Sequence, residues 1–399
     1  MKSLDKIIIK NKKIIFRADL NVPVLNGKIT DYSRINSIIP TIEILKKNEN
    51  KIFIIAHFGR PKGKKNNKYS IKFLCEDLKK IFKIPNIHFL ESFEKKIIQN
   101  KISEMKNGEI CLFENIRFNP GEQTNDLDFS KSLSSNFDVY VNDAFSASHR
   151  NHSSITGITK YLPSYAGLSF SNEIKNLDNF LENSTKPNLA IIGGSKVSTK
   201  IKVLKYLVEI FDSIIIGGAM ANTFLLSNNY NVGSSLIEND FINLSKEIQK
   251  KAKEKKCKII LPIDVVCSKN LQDKTNIKTY NINDVPKDQM ILDIGELSTK
   301  LISNEILKSQ SVLWNGPLGA FEYSPFDKST ISVANIIKDS SNKTQINSLA
   351  GGGDTVSAIK NTHAEDGFNY ISNAGGAFLE WLEGNESPGV KSLKENNLT

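Results

Sequence analysis

Arginine is scarce in this sequence, with only five copies among 399 residues against 48 lysines. None lies beyond residue 150, and the five are Arg17, Arg34, Arg60, Arg117 and Arg150. A chain that uses lysine almost everywhere should keep arginine where a planar, two-pronged donor must meet a carboxylate or a phosphate. The distribution therefore predicts a site for a highly anionic small molecule in the first part of the chain. The alternative interpretation is that these arginines form buried pairs with carboxylates.

Closely spaced cysteines and long apolar runs are also missing. The four cysteines lack Cys-x-x-Cys spacing, so we expect reduced thiols and no disulfide or metal framework. No stretch approaches about 18 consecutive apolar residues, and no membrane span is expected. The N-terminal residues lead into an isoleucine-rich segment without a signal-peptide pattern. These absences predict a cytoplasmic enzyme with no membrane partner.

The formal net charge of +10 raises the question of a nucleic-acid partner. The excess comes from lysines scattered over the whole chain with asparagine and isoleucine, and no dense basic arm is present. We therefore expect no nucleic-acid partner. The alternative, a nucleic-acid-binding protein, would show a steep salt dependence of DNA or RNA binding. The length of 399 residues exceeds what one core usually holds and predicts two domains.

Strands alternate with helices in the first half, which is the pattern of βαβ units and a parallel sheet. We expect strands over residues 7–9, 13–16, 52–55, 109–113 and 138–142. Each of the last four is followed by a polar cluster that includes an arginine or a histidine. Ligands bind at the carboxyl ends of such strands, where Asp19 and Asn21 could accept from substrate hydroxyls while Arg17 is structural. His149 and His152 lack a third metal ligand at suitable spacing, so hydrogen-bonding or packing roles are expected.

A helical pattern over residues 168–181 separates the two halves of the chain, and the arginine clusters stop there. Further strands are expected at 188–192, 213–216, 258–261, 311–314, 348–350 and 368–372. Several of their ends are rich in glycine and poor in positive charge. Such ends favour a flat nucleotide bound through backbone donors.

The stretch Gly351-Gly352-Gly353-Asp354-Thr355 precedes a helical pattern. Three glycines let the backbone adopt positive φ and approach a ligand closely, and a helix N-terminus favours phosphate. A carboxylate beside phosphate is repelled unless a divalent cation lies between them. We therefore interpret the loop as a phosphate cradle whose Asp354 reaches Mg²⁺. The alternative is a tight turn in which Asp354 or Thr355 caps the helix.

A second glycine turn, Gly193-Gly194, leads into a segment that is expected to be helical through Leu207. Lys196 and Lys200 would lie on one face of that helix near its N-terminus, where positive charge is unfavourable without a partner. An anion between the lysines, held also by the amides of the two glycines, would remove the conflict. The stretch is not a Walker A motif, because GxxxxGK[ST] is absent.

Taken together, these motifs resemble those of the phosphoglycerate kinase family nearly end to end and in the same order. They are Arg17-Ala-Asp-Leu-Asn-Val-Pro23, His57-Phe-Gly-Arg-Pro61, Glu114-Asn-Ile-Arg-Phe118, Asn142-Asp-Ala-Phe145 with His149-Arg150, Gly193-Gly-Ser-Lys-Val197, Trp314-Asn-Gly-Pro317, Gly351-Gly-Gly-Asp-Thr355 and Ala377-Phe-Leu-Glu380.

The resemblance implies an α/β fold with two doubly wound parallel-sheet, Rossmann-like domains joined by a hinge helix. Residues 1–168, with a C-terminal tail from about 388 to 399 that returns to them, would bind phosphoglycerate, and residues 169–387 would bind the nucleotide. It implies reversible, in-line transfer of the acyl phosphate of 1,3-bisphosphoglycerate to ADP after hinge closure, with Mg²⁺ as cofactor and ATP or ADP as co-substrate. The partners would be small molecules, and we expect a monomer.

The resemblance also assigns roles to individual residues. Those expected to hold the triose are Asp19, Asn21, Arg34, His57, Phe58, Gly59, Arg60, Arg117 and Arg150. Those expected at the nucleotide are Gly194, Lys196, Lys200, Asn315, Glu322, Gly351, Gly352, Gly353, Asp354 and Thr355. Within that set Glu322 would lie at the ribose, Lys196 at the transferring group and Asp354 at Mg²⁺. The residues expected in catalysis itself are Arg34, Lys196 and Gly353.

Three positions depart from the family pattern. Ser146 stands where glycine is usual, Asn373-Ala374 where Thr-Gly is common, and residues 292–296 lack a Pro-Lys pair. These departures concern loop geometry and leave the chemistry unchanged. The main alternative function is a dinucleotide-dependent oxidoreductase on a similar fold. It requires GxGxxG after a strand and an acid about 20 residues further on, an arrangement that the sequence does not contain.

Overall fold

The computed structural model describes residues 1–344 and 346–398, without the side chains of residues 343 and 344. The chain forms two compact units. The first comprises Met1–Lys175 together with the C-terminal segment from Glu386, and the second comprises Asn176–Asn385. The break expected after residue 168 coincides with the start of a helix, whereas the division falls inside that helix, after Lys175.

The strands and helices alternate along the chain. The strands are β1 (Lys13–Arg17), β2 (Val24–Leu25), β3 (Lys28–Ile29), β4 (Lys51–Ile55), β5 (His88–Leu90), β6 (Ile110–Phe113), β7 (Val139–Asn142), β8 (Ser164–Ala166), β9 (Asn188–Ile192), β10 (Ser213–Ile216), β11 (Lys258–Ile260), β12 (Asp264–Ser268), β13 (Lys278–Asn281), β14 (Met290–Ile294), β15 (Ser311–Asn315), β16 (Asn347–Gly351) and β17 (Tyr370–Ser372). The helices are α1 (Ser33–Lys47), α2 (Leu74–Ile81), α3 (Lys95–Glu104), α4 (Pro120–Thr124), α5 (Leu127–Ser134), α6 (Leu168–Glu182), α7 (Ile201–Ile210), α8 (Met220–Ser227), α9 (Ile242–Glu254), α10 (Glu296–Lys308), α11 (Lys328–Thr344), α12 (Gly353–Asn361), α13 (Gly376–Leu382) and α14 (Pro388–Glu395). Among the helices of the described residues, none combines the length and the apolar content that crossing a bilayer requires.

The first unit is organised on a parallel sheet in the order β5-β6-β4-β1-β7-β8, and β2 and β3 form a separate antiparallel hairpin. The chain begins at the centre of the sheet with β1, builds one side from β4 outward, and later builds the other side with β7 and β8. This is the doubly wound arrangement that the sequence predicts. The central strands are buried along almost their whole length, as expected when helices cover both faces of a parallel sheet.

The predicted strand over residues 7–9 is wrong. Ile9 is buried and Ile7 packs against the core, but Ile8 is 82% exposed, so the three side chains alternate as in an extended segment. The segment joins no strand ladder, and the first pairing of the chain is an isolated parallel bridge between Ser3 and Ala166. The apolar pattern therefore correctly indicated an extended backbone, but this backbone pairs with no neighbouring strand.

The second unit contains a parallel sheet in the order β11-β10-β9-β15-β16-β17, which is again doubly wound from a central first strand. It also contains a smaller sheet in the order β13-β12-β14 whose pairs are antiparallel. The sequence did not predict this smaller sheet. Its β13 is largely exposed and polar, so it lacks the apolar alternation by which a strand is recognised.

The C-terminal segment belongs to the first unit through specific hydrogen bonds. The amide of Gly389 donates to the carbonyl of Ser148 at 2.8 Å. The Asn396 side chain donates to the carbonyls of Thr159 and Leu162 at 2.7 and 3.1 Å. It accepts from the amide of Ser164, at the start of β8, at 3.0 Å. The predicted return of the C-terminal tail to the first domain is thus confirmed.

Asp143 anchors the start of α6 within the first unit. Its Oδ1 accepts from the amide of Phe170 at 2.8 Å, and its Oδ2 accepts from Thr41 Oγ1 at 2.6 Å. Burial raises the pKa of Asp143 to about 7, and these hydrogen bonds oppose the rise. The carboxyl therefore links α1, the loop after β7 and α6 through neutral hydrogen-bond donors.

Candidate active site

The polar clusters after β1, β4, β6 and β7 lie at one edge of the first sheet. β1 pairs in parallel with β4 and β7, and β4 pairs in parallel with β6. The carboxyl ends of neighbouring parallel strands face the same way, so the loops that follow them are neighbours. The structure therefore brings together most of the residues that the sequence assigns to an anionic ligand.

Arg17 is buried, and its guanidinium forms its hydrogen bonds inside the unit, as expected of a structural arginine. Its Nε donates to Ser154 Oγ at 3.0 Å, and its Nη2 lies 3.0 Å from Nδ1 of His57. A guanidinium can only donate, so Nδ1 of His57 is the acceptor and the ring proton lies on Nε2. Burial, and then the charges of the surrounding arginines, lower the pKa of His57 well below its ordinary value. His57 therefore offers a neutral N–H donor to a ligand.

Asp19, Asn21 and Arg34 form one hydrogen-bonded group. Arg34 lies in the first turn of α1, and its Nη1 donates to Asp19 Oδ1 and to the carbonyl of Asn21, both at 3.1 Å. The Oδ1 atom of Asn21 accepts from the amide of Gly59 at 2.9 Å, which ties the loop after β4 to the loop after β1. The Arg34 side chain is still 29% exposed. Arg34 therefore forms an ion pair with a carboxylate, as the alternative interpretation of the arginines expects. Part of its guanidinium nevertheless faces solvent.

Arg117 is the strongest indication of an anion site. Its side chain is almost fully buried, and its Nη1 donates to the carbonyl of Gly59 at 2.7 Å. The Nε and Nη2 atoms are buried without a hydrogen-bond partner in the part of the chain that the structure describes. Burial, and then the charges of Arg150 and Arg17, lower its pKa to about 10. Unpaired buried donors on a cation cost stability, and an anion that binds them removes that cost.

The other predicted residues surround this edge with different exposures. Arg60 is exposed, Arg150 is half-buried and Phe58 packs against the core. Burial, and then the charges of Arg60 and Arg17, lower the pKa of Arg150. Nδ1 of His149 is buried without a partner in the described part of the chain, and burial followed by the charge of Arg150 lowers its pKa to about 4. The positive charges at this edge thus lie close together and repel one another, as a site for a polyanion requires.

His152 has a carboxylate partner. Its Nδ1 lies 3.5 Å from Oε1 of Glu122, which is fully buried in α4. Glu122 also accepts from the hydroxyl and the amide of Ser154, at 2.6 and 2.9 Å. Burial opposes ionisation of Glu122, but these bonds and the charge of Arg17 leave its pKa lowered. His152 thus contacts a buried carboxylate of its own unit, and the hydrogen-bonding or packing role expected for it stays a prediction.

The second unit contains a cavity of about 350 Å³ at the carboxyl ends of its parallel strands. Gly194, Gly218 and Gly319 contribute backbone to its wall, and Asp354 and the exposed Glu322 line it. Most of the other lining side chains are apolar; they include Leu225, Leu236, Val265, Met290, Ile291 and Leu318. An apolar cavity with a few polar groups is typical of sites for small ligands.

The sequence did not identify the apolar lining of this cavity. Val265, Met290 and Ile291 come from β12 and β14 of the smaller antiparallel sheet. The available signal was two short apolar runs, at 264–268 and 290–294. Runs of that length are compatible with core strands anywhere in a domain, so they could not be assigned to a ligand site.

The triple-glycine loop forms the start of α12. Gly351 ends β16, and Gly352 is the residue before the helix, with φ of +97°. The alternative in which Asp354 or Thr355 caps the helix is wrong, because no side chain caps its N-terminus. A Cβ atom on Gly353 would meet nothing within 4 Å, so its backbone faces open space. The helix therefore presents uncapped amides beside Asp354, as a phosphate cradle requires.

Asn315 and Thr355 stabilise this loop from inside the unit. Asn315 is buried, its Nδ2 donates to the carbonyl of Gly351 at 2.6 Å, and its Oδ1 accepts from Lys200 Nζ. Thr355 Oγ1 accepts from the amide of Gly316 at 2.6 Å. Burial lowers the pKa of Lys200 to about 8, and the charge of Asp354 opposes that change. Asn315 thus connects the glycine loop to a half-buried lysine that lies near Asp354.

The predicted arrangement of Lys196 and Lys200 on one helix face is wrong. α7 begins at Ile201, so Lys200 precedes its first residue and Lys196 lies in an exposed loop. The amides of Gly193 and Gly194 are also not available to an anion. They donate to the carbonyls of Asn315 at 2.9 Å and Pro317 at 3.1 Å. The glycines permit close packing of two loops, since a Cβ on Gly193 would lie 2.0 Å from the Pro317 carbonyl.

The residues of this loop fit a magnesium ion that is held together with a nucleotide. No group of three or more His, Cys, Asp or Glu in the described residues could hold a metal ion by itself. Mg²⁺ is usually bound by one or two carboxylates together with substrate phosphates and water. Asp354, next to uncapped helix amides and at the wall of the cavity, is one such carboxylate.

Comparisons with known proteins point to one enzyme family. A family model described as phosphoglycerate kinase matches residues 4–385. The chain is 44% identical over 394 residues to the phosphoglycerate kinase of Brucella abortus biovar 1 (strain 9-941), with 99% of each chain covered. It is similar to the structure of phosphoglycerate kinase from Coxiella burnetii, with a TM-score of 0.89, 34% identity and 98% of each chain covered. The crystal structure of phosphoglycerate kinase from Pyrococcus horikoshii OT3 matches with a TM-score of 0.84 and 27% identity, covering 99% of this chain and 98% of that one.

Proposed function

The chain belongs to the phosphoglycerate kinase family, and we propose how its two units divide the work of that enzyme. The activity is the reversible transfer of the acyl phosphate of 1,3-bisphosphoglycerate to ADP, which yields 3-phosphoglycerate and ATP. The alternative of a dinucleotide-dependent oxidoreductase is not supported, because the relatives and the matching structures are phosphotransferases.

The first unit binds the phosphoglycerate. The observation that supports this assignment is the buried guanidinium of Arg117, whose Nε and Nη2 have no partner in the described residues. Two parallel donors on a fixed plane match a phosphate or a carboxylate. Arg34, Arg60 and Arg150 add charge at the same edge, and His57 adds a neutral donor at Nε2. A small molecule with anionic groups at both ends would satisfy these donors together.

The second unit binds the nucleotide. Its apolar cavity suits a purine base, and Glu322 lies at the wall where a ribose hydroxyl could donate to it. The uncapped amides of Gly353, Asp354 and Thr355, with Lys200 nearby, suit phosphate groups. Asp354 would hold Mg²⁺, which neutralises charge on the phosphates when it is bound.

Phosphoryl transfer passes through a loose transition state, so the protein contributes alignment and fixed positive charge and needs no covalent nucleophile. Arg34 and Lys196 are the side chains that we propose to stabilise the group in transfer, and Gly353 contributes a backbone amide. Arg34 is held in place by Asp19 and the carbonyl of Asn21. Lys196 is exposed in the loop before α7, next to the fully buried Val197.

We also propose a cytoplasmic monomer whose partners are its small-molecule substrates. Its cysteines are free thiols, three of them buried and Cys75 partly buried, and burial raises the pKa of each. Thiols whose pKa is raised are mostly protonated at neutral pH and react slowly, and these free thiols form no disulfide framework. The lysines are spread over the chain and do not form a dense basic arm, so a gel-shift assay with DNA or RNA should show no binding.

A coupled assay tests the proposed function directly. The purified protein should form ATP from 1,3-bisphosphoglycerate and ADP in the presence of magnesium, and should run the reverse reaction from 3-phosphoglycerate and ATP. Chelation of the magnesium should abolish both directions. Absence of turnover in both directions from folded, magnesium-saturated protein would contradict the proposal.

Substitution of Asp354, the carboxylate that we propose to hold Mg²⁺, should weaken the binding of the nucleotide and leave the binding of 3-phosphoglycerate almost unchanged. Asp354→Asn removes the charge that lies between the protein and the magnesium–phosphate group, so the affinity for Mg-ADP should fall by about tenfold or more, while the affinity for 3-phosphoglycerate stays within about twofold. Calorimetric titration of each ligand measures both values. Asp366→Asn is a matched control, because Asp366 is 71% exposed and pairs with Lys338 at the surface. An equal loss for both ligands would show that Asp354 acts on the fold.

A further inference from the structure

Ser146 reaches from the loop after β7 to the loop after β1. It lies in the turn Phe145–Ala147, and its Oγ donates to Asp19 Oδ2 at 2.5 Å. A serine hydroxyl carries one hydrogen, and this one is committed to Asp19. Towards any ligand the Ser146 oxygen can therefore only accept.

The hydrogen bonds of Asp19 leave little acceptor capacity. Each carboxylate oxygen offers about two lone-pair directions. Oδ1 accepts from Arg34 Nη1 at 3.1 Å and from the amide of Asn21 at 3.3 Å, which fills both of its directions. Oδ2 accepts from Ser146 and retains one direction. Asp19 can thus take one further strong hydrogen bond, on the oxygen beside Ser146.

The chemistry of this spot differs from that of the rest of the edge. Arg17, Arg34, Arg117 and Arg150 offer only donors, whereas Asp19 Oδ2 and Ser146 Oγ offer only acceptors. An anionic carboxylate or phosphate would be repelled by Asp19. A neutral hydroxyl, which donates one hydrogen, is the group that fits.

We propose that Ser146 is a positioning residue that fixes Asp19 Oδ2 as the acceptor for the hydroxyl group of the triose. The pair then selects a 2-hydroxy acid phosphate over an analogue without the hydroxyl. The inference rests on the proposed function of the first unit and goes beyond it by assigning substrate selectivity to Ser146, a departure from the family pattern to which the resemblance assigns no role. 3-Phosphoglycerate has two anionic ends and a single neutral hydroxyl, so one acceptor spot within a ring of donors matches its pattern of groups.

The test compares two ligands on whole-length variants. Calorimetry measures the binding of 3-phosphoglycerate and of its 2-deoxy analogue, 3-phosphonooxypropanoate, to the unchanged protein, Ser146→Ala, Ser146→Gly and Ser146→Thr. For Ala and Gly, the affinity for 3-phosphoglycerate should fall about tenfold, and that for the deoxy analogue by less than twofold. The KM for 3-phosphoglycerate should rise in parallel while kcat and the KM for ATP stay within twofold. Thr retains the hydroxyl and should restore most of the affinity.

The control and the contrary outcomes are distinct. Ser135→Ala removes an exposed hydroxyl at the end of α5 that donates to the carbonyl of Ser132, and it should change neither affinity. Equal losses for the two ligands, or no loss for either, would overturn the selectivity assigned to Ser146 while leaving the proposed function intact. Failure of the unchanged protein to bind either ligand would overturn the proposed function and this inference with it.

Discussion

Arg117→Lys should lower the affinity for 3-phosphoglycerate by about 100-fold and leave the affinity for Mg-ADP unchanged. The guanidinium presents Nε and Nη2 in one plane while Nη1 is held by Gly59. A lysine ammonium is a single point of charge, so it cannot keep the Gly59 contact and also offer two parallel donors. The loss of one charge-assisted hydrogen bond and of its geometry corresponds to about 2.7 kcal/mol, or 100-fold. Steady-state kinetics with each substrate varied in turn gives both values.

Thermal unfolding of the same variant separates function from structure. Two buried, unpaired donors destabilise the ligand-free protein, so their removal should leave Tm unchanged or raise it. Arg60→Lys is the matched comparison, because Arg60 is exposed at the same edge and its replacement should cost only a few-fold in affinity. A Tm that falls by several degrees with unchanged substrate affinity would show that Arg117 is structural.

Lys196→Ala should lower kcat by about 10²- to 10³-fold, which is the usual cost of removing one donor that stabilises a transition state. The side chain is exposed, but the backbone beside it is fixed. Ser198 donates through its amide and its hydroxyl to Glu238 at 2.9 and 2.6 Å. The proposed contact of Lys196 is with the group in transfer, so its loss should affect kcat far more than the KM of either substrate.

Lys202→Ala is the control for that substitution. Lys202 is 77% exposed in the first turn of α7, and its Nζ lies 3.8 Å from Oε2 of Glu383. It has the same charge and a similar position in the chain but no role in the proposed site, so kcat should stay within twofold. If Lys196→Ala also kept kcat within threefold of the unchanged protein, Lys196 would have no part in the transfer.

The parts of the site that depend on strand order could be predicted from sequence. A parallel sheet places the carboxyl ends of β1, β4, β6 and β7 at one edge, so the clusters at Arg17, His57, Arg117 and Arg150 had to become neighbours. The sequence could not predict which acceptors each guanidinium would bind and which of its N–H groups would stay unpaired. Arg17, the last residue of β1, donates to Ser154 and His57, whereas Arg117, just beyond β6, keeps two donors unpaired in the described part of the chain.

The predictions from sequence were wrong where contacts between residues distant in sequence override a local pattern. The spacing of Lys196 and Lys200 indicated a helix, but Lys200 bonds to Asn315 and the helix begins one residue later. The amides of Gly193 and Gly194 looked available because nothing near them in sequence could accept. Their acceptors, the carbonyls of Asn315 and Pro317, lie more than a hundred residues further along the chain.

The hydrogen bonds of Asn396 to Thr159, Leu162 and Ser164 have a consequence for the order in which the protein is made. On the ribosome, residues 1–175 emerge before the second unit, yet the segment from Glu386 that completes their unit emerges after it. Asn176–Asn385, which form the second unit, are therefore all available before that segment leaves the exit tunnel. The first unit thus obtains its full set of residues only after the whole of the second unit has been synthesised.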